Sequence, residues 1–202
     1  VEHGFVRVTV DGDPLIERAR PTVRFGDVEV SPPPGGFLQA TEVGEDRLAE
    51  LTLAALEGAA KAADLYCGSG AFALRLARRM PVLAAEADEA SLAALDHAAS
   101  RTPGLKPVET RLRNLVKEPI SAGELIGCDA AVVDPPRSGA DAQMRMLAAS
   151  GVSRIASISC NPKTFARDAA TLIESGFRIG EVVPIDQFRW TGHVEVFALF
   201  SR

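Results

Sequence analysis

From residue 62 to residue 174, short apolar runs alternate with amphipathic stretches. No other feature of the chain constrains its fold as strongly. Residues 62–66, 82–85, 106–112, 130–133 and 155–159 read as strands. Residues 71–79, 90–100, 140–149 and 164–174 read as helices between them. Most of the strand runs are continuous rather than alternating, as expected for parallel strands covered on both faces. Residues 178–185 and 193–200 then follow as two strands with no room for a helix between them, so one must pair antiparallel. The pattern predicts a doubly wound α/β fold: a mostly parallel seven-stranded sheet closed by an antiparallel carboxyl-terminal hairpin.

The first 60 residues differ. They carry 11 acidic and 5 basic side chains, against 16 and 17 in the remainder. Residues 5–10 alternate and then meet Asp11-Gly12-Asp13-Pro14, a strand and turn. Residues 23–30 give a weaker strand signal, Ser31-Pro-Pro-Pro-Gly-Gly36 is a stiff linker, and residues 45–57 have helical spacing. This predicts a β-rich remnant with its linker over 1–35 and a main domain over 36–202. The opening Val1-Glu2-His3-Gly4 has no secretory pattern and no initiator Met, which suggests a piece of a longer protein kept in the cytoplasm. No apolar run is long enough to span a bilayer. Three scattered cysteines give neither a disulfide framework nor a CxxC metal site, so no metal is expected. A net charge of -5 argues against a protein that coats nucleic acid, yet 18 of the 22 basic residues are Arg, which suits phosphate and base contacts. An Arg-rich coding bias explains the same count.

Four strand ends carry chemistry. After the first central strand comes Asp64-Leu-Tyr66-Cys-Gly68-Ser-Gly70, where the glycines permit a tight turn and close approach of a ligand. Glu86 ends the next strand and can accept both hydroxyls of an adenosine ribose. Nicotinamide and S-adenosylmethionine proteins share this pair of features. Asp64 favours the second, since it would repel a pyrophosphate and suits an ammonium. A plain strand–helix turn is the simpler alternative. Asp134-Pro-Pro-Arg137 holds a carboxylate at the sheet edge, or merely caps a helix in a stiff turn. Arg137 stands where amino-methyltransferases have an aromatic, which disfavours that chemistry.

Cys160-Asn-Pro ends the following strand and opens a helix, a setting that favours thiolate over the usual buried, inert thiol. In Asp186-Gln-Phe-Arg-Trp190-Thr-Gly-His193-Val-Glu195, a two-residue spacing puts His193 and Glu195 on one strand face. Glu195 is a candidate base or part of a solvated face. Trp190 is core filling or a platform for a nucleobase.

Taken in order, Phe37-Leu-Gln39, the 64–70 loop, Asp134-Pro-Pro-Arg, Ser159-Cys-Asn-Pro and His193-Val-Glu195 resemble the RNA uracil-5 methyltransferases, which make 5-methyluridine, and in particular their 23S ribosomal RNA branch. The resemblance spans residues 36–202. It implies a class I, Rossmann-like fold that binds S-adenosylmethionine through Gln39, Asp64, Tyr66, Gly68, Gly70, Glu86, Asn114 and Asp134. It further implies Cys160 as nucleophile and Glu195 as base, with Arg137, Trp190 and Gln39 on a flipped uridine of structured RNA. The family's RNA-binding barrel and iron–sulfur cluster do not fit before residue 36, and a monomer is expected. Two rival readings remain: a nicotinamide-dependent oxidoreductase, and a module that binds RNA without catalysis.

Overall fold

The computed structural model describes residues 4–188 and 190–202; Val1, Glu2 and His3, part of the predicted remnant, and Arg189 in the last hairpin lie outside the described residues. β1 (Arg7–Val10) and β2 (Asp13–Glu17) form an antiparallel ribbon. Asp11 and Gly12 both have positive φ, as a two-residue hairpin turn of matching twist demands. β2 was hidden in the sequence because Pro14 and the exposed Leu15 and Ile16 give it no buried face. The weak signal at 23–30 resolves into two strands, β3 (Val23–Phe25) and β4 (Val28–Val30), folded back at Gly26. Phe25, Val28 and Val30 are buried in the main core, so this hairpin packs on the body that follows it.

α1 (Glu42–Ala55) starts at Thr41, whose Oγ1 accepts from Gly44 N–H, with Glu42 and Glu45 in the first turn. The body continues with β5 (Ala62–Leu65), α2 (Ala73–Leu76), β6 (Val82–Glu86), α3 (Glu89–Arg101), β7 (Val108–Leu112), β8 (Ala130–Val133), α4 (Asp141–Ala148), β9 (Arg154–Ser159), α5 (Pro162–Glu174), β10 (Arg178–Ile185) and β11 (Glu195–Ser201). α2 is shorter than its apolar spacing predicts. Gly70 N–H and Leu74 N–H bond back across the glycine loop, and past Leu76 the turns mix three- and four-residue closures.

The sheet runs β10-β11-β9-β8-β5-β6-β7. β9, β8, β5, β6 and β7 are parallel, whereas β11 is antiparallel to both β9 and β10. The predicted seven-stranded architecture is therefore observed, with the second strand of the last hairpin lying inside the sheet and β10 at its edge. One apolar layer, around Leu48, Leu74 and Leu95, fills the face under α1–α3. The other, around Leu125, Met144, Leu172 and Phe200, fills the face under α4 and α5. No described helix is long and apolar enough to cross a membrane.

Candidate active site

The carboxyl ends of the parallel strands open into a cavity of about 620 Å³, within the range of small-molecule sites. Its two walls come from different elements. The first is the loop after β5. Tyr66 N–H and Cys67 N–H both donate to Ala85 O, at 2.9 and 3.1 Å, which folds the chain across the end of β6. Tyr66 is forced to φ +68°, a costly conformation for a bulky residue. Its hydroxyl is buried without a partner, and burial, with help from Asp168 and Glu86, pushes it up to about 12.

Gly68 and Gly70 have φ of +52° and +98°. A Cβ on Gly68 would meet open space, whereas one on Gly70 would fall 2.5 Å from Leu95 Cδ1. Gly68 thus faces the cavity and Gly70 packs the loop against α3. Gly68 N–H donates to Glu86 Oε2 at 2.9 Å, while Glu86 Oε1 accepts from Ala87 and Asp88 N–H at 2.6 and 3.0 Å. The carboxylate is oriented by three backbone donors and keeps lone pairs for a ligand.

Two predicted contacts on this wall stand elsewhere. Asp64 is wholly buried inside β5, and neither of its oxygens has a hydrogen-bond partner. Burial raises its carboxyl to about 8; Ala73 N–H at the start of α2 opposes this without closing a bond, and Asp134 and Glu86 add to it. Asp64 lines neither this cavity nor the small one beneath the loop, because it lies within the strand rather than at its tip. Asn114 turns its Oδ1 onto Val116 and Lys117 N–H, both at 3.2 Å, and its neighbours Arg113 and Leu115 line the cavity instead.

The second wall joins three strand ends. Asp134 follows β8, Cys160 follows β9, and Glu195 opens β11. Antiparallel pairing brings the last two together: Val196 sits opposite Ser159, so the residues just before and just after them meet. Glu195 is buried, and burial raises its carboxyl, with the Gln187 amide pulling the other way. Burial, with the charge of Glu195, lifts Asp134 to about 7, opposed by Gln39, whose Nε2 donates to Asp134 Oδ2 at 3.1 Å.

Cys160 departs from expectation. Burial and the charges of Glu195 and Asp134 push its thiol up, and Arg137 only partly offsets them. The helix start and cation visible in the sequence are outweighed by burial and by two carboxylates brought in from remote segments.

Asn161 caps α5 by accepting from Lys163 N–H, and its Nδ2 donates to Arg137 O at 3.0 Å, tying the Cys160 loop to the Asp134-Pro-Pro-Arg loop. Arg137 donates to His193 Nδ1 at 2.9 Å. His193 precedes β11, so strand alternation does not place it, yet it lines the same cavity as Glu195. Phe37 and Phe188 form the aromatic part of the wall, with Phe188 edge-on to His193. Trp190 is fully exposed at φ +67°, which removes the core-filling option and places it outside the cavity lining. Gln187, Phe188 and Arg113 were not singled out in the sequence, because nothing in their spacing marks them.

Residues 116–202 match the family described as tRNA (uracil-5-)-methyltransferase. An RNA methyltransferase of Agrobacterium fabrum is 50% identical over 98% of this chain and 48% of its own length. The 23S rRNA (uracil(1939)-C(5))-methyltransferase of Pseudomonas fluorescens is 37% identical over 87% of this chain and 40% of its own. The crystal structure of Pyrococcus abyssi tRNA (uracil-54, C5)-methyltransferase with S-adenosyl-L-homocysteine superimposes with a TM-score of 0.79 at 28% identity, covering 96% of this chain and 48% of that one. The chain spans about half the length of these and other curated relatives it matches.

Proposed function

By sequence and by fold the chain is a relative of the RNA uracil-5 methyltransferases, and we propose that it methylates C5 of a uridine in structured RNA, with 23S ribosomal RNA as the first candidate substrate. One observation carries the reading: Cys160 and Glu195, 35 positions apart in sequence, meet at the cavity that the glycine loop and Glu86 also line. The ribosomal preference rests on the greater identity to the Pseudomonas enzyme.

The residues present fit S-adenosylmethionine. Glu86 is an oriented carboxylate with lone pairs to spare, Gly68 leaves open space at the cavity wall, and the Tyr66 hydroxyl is buried and unpartnered. When bound, that cofactor supplies an electrophilic methyl group. Asp134 and Arg113 complete the proposed pocket, and Gln39 holds the Asp134 carboxyl from behind.

C5 of uracil is a weak nucleophile. Cys160 releases its proton to solvent, and Arg137 is the neighbour that lowers the cost of the thiolate. Its sulfur adds to C6, which moves the ring electrons onto C5 and the carbonyl oxygen. Once C5 is methylated it still holds its original hydrogen. Glu195 removes that proton, and the electrons released expel the Cys160 sulfur. A stacked base hides C5 and C6, so the uridine is flipped out onto Arg137 and the Phe37–Phe188 wall, with Gln39 bonded to Asp134 behind it. Trp190, outside the cavity, contacts a flanking nucleotide.

We assign this chemistry to residues 36–202, as a monomer in the cytoplasm, with 1–35 a remnant of an adjoining domain. A nicotinamide-dependent oxidoreductase is disfavoured because the sole tyrosine, Tyr66, is locked in the glycine loop. The test is calorimetric titration with S-adenosylhomocysteine and, in parallel, NADH, followed by trapping with 5-fluorouridine RNA. Binding of the homocysteine compound alone and a covalent RNA adduct at Cys160 are expected. NADH binding alone would overturn the reading. Homocysteine binding without an adduct would reduce the chain to a non-catalytic module.

A further inference from the structure

Pro135 and Pro136 contribute no N–H to the loop that carries Asp134 and Arg137. Asp134 N–H reaches Leu65 O at 3.3 Å, and Gly139 N–H closes a turn on Pro136 O at 2.8 Å. The rest of the hold comes from α5 and its cap. Asn161 Nδ2 donates to Arg137 O at 3.0 Å, Arg167 Nη2 donates to Ser138 O at 3.0 Å, and Asp168 Oδ2 accepts from Ala140 N–H at 2.7 Å. Asp168 joins the last two. It is buried, and its Oδ1 accepts from Arg167 Nε and Nη2 at 2.9 and 2.7 Å. One carboxylate thus fixes both the Ala140 amide and the guanidinium that reaches Ser138. Ala140 opens α4 without a side-chain cap. Asp168 supplies from a neighbouring helix the acceptor that a helix start ordinarily finds in its own side chains. The approach of loop to helix is close. At Gly139, with φ +77°, a Cβ would collide with Arg167 Nη2 and fall 2.7 Å from Asp168 Oδ2.

We propose that Asp168 is a positioning residue for RNA binding. It does not line the cavity and acts through the loop. Held by Asn161 at Arg137 O and by the Arg167–Asp168 pair at Ser138 and Ala140, the loop presents the Arg137 side chain to the cavity rim, where it meets His193. The proposal rests on the methyl-transfer reading, in which Arg137 contacts the flipped uridine. A carboxylate is the group this junction needs. Two donors from different elements converge on it, whereas an amide in its place has one oxygen and turns a nitrogen towards the other donor. The glycine loop and Glu86 take no part in this hold, so the cofactor wall does not depend on it.

The test is Asp168→Ala, which removes both acceptors. In the free protein, hydrogen exchange at the Ala140 amide should quicken by about tenfold or more, while the Gly68 amide, bonded to Glu86, keeps its rate. With S-adenosylmethionine and 23S ribosomal RNA, the KM for RNA should rise by about tenfold, the size of one lost hydrogen bond to a charged group. Both kcat and S-adenosylhomocysteine affinity should stay within about a factor of two. Asp168→Asn, which keeps one acceptor, should recover part of the RNA affinity, and it carries the same test if the alanine variant does not fold. An unchanged KM in a folded variant overturns the proposal. Equal losses of RNA and S-adenosylhomocysteine binding overturn it too, since they would mark Asp168 as a support of the whole fold. Failure of the methyl-transfer reading shows separately, as an unsubstituted chain that binds no S-adenosylhomocysteine or methylates no RNA.

Discussion

The two walls of the cavity are built by opposite means. The wall after β5 is made by the backbone: positive φ at Tyr66, Gly68 and Gly70, with N–H groups of Gly68, Ala87 and Asp88 gathered on Glu86. The wall at the ends of β8, β9 and β11 is made by side chains: Asp134, Cys160 and Glu195, with two amides behind them. Backbone geometry orients a ligand without needing a particular protonation state. On the side-chain wall Asp134, Cys160 and Glu195 are all displaced upward, mainly by burial. Perturbed groups gathered in a cleft are what proton transfer and covalent addition require. The difference teaches that one wall is a holder and the other a reactor.

The sharpest way to break that division is to disable the reactor and measure the holder. Cys160→Ala should lower turnover by about three orders of magnitude or more, since Cys160 is the one thiol among the described residues that line the cavity. Its affinity for S-adenosylhomocysteine should stay within about a factor of two. Glu195→Gln should allow methylation but stall proton removal, so that a protein–RNA adduct builds up. Full activity in Cys160→Ala, or no adduct in Glu195→Gln, would remove the division.

How far each wall was legible follows from the same contrast. The holder is local. Gly68, Gly70 and Glu86 lie within 19 positions, and glycine spacing after an apolar run announces a tight turn. β5, β6, β8 and β9 were equally legible as strands, because each is a short apolar run. The reactor is not local. Cys160 and Glu195 meet only because β11 inserts antiparallel between β9 and β10, and a sequence without pairing information does not state that order. The upward shift of the Cys160 thiol was missed for this reason, as its two carboxylate neighbours come from other strands. Asp64 failed differently. It was read as ending the strand, but a strand residue and a strand-tip residue look alike in sequence, and only the fold shows the side chain sealed away from the cavity.

Within the holder, the two glycines should separate cleanly. Gly70→Ala forces a Cβ to 2.5 Å from Leu95 and 3.2 Å from Leu74, at φ +98°. Overpacking of this kind costs about 1–3 kcal/mol, with about 1 kcal/mol more for the backbone. At roughly 2–4 °C per kcal/mol for a chain of this size, the melting temperature should fall by several degrees. Gly68→Ala carries only the backbone cost, because its Cβ meets nothing. It should melt closer to the parent and instead weaken S-adenosylhomocysteine binding. Equal losses of stability in the two variants would mean that the loop is not split between packing and ligand contact.

Asp64 sits beneath the holder but titrates like the reactor. Its folded-state value, about 8, lies above the ordinary 3.8. The folded protein therefore binds this proton more tightly than the unfolded chain does. That contribution to stability is complete below about pH 4 and is lost progressively as pH rises through about 8. Asp64→Asn keeps the shape and removes the titration, so it should match the parent below about pH 4 and melt increasingly above it as pH rises to about 8. A thermal melt series across that range decides the matter. A parent curve that rises with pH, or an Asn variant that melts lower at pH 8, would mean that the carboxylate is held charged by a partner. Asp64 would then belong to the holder after all.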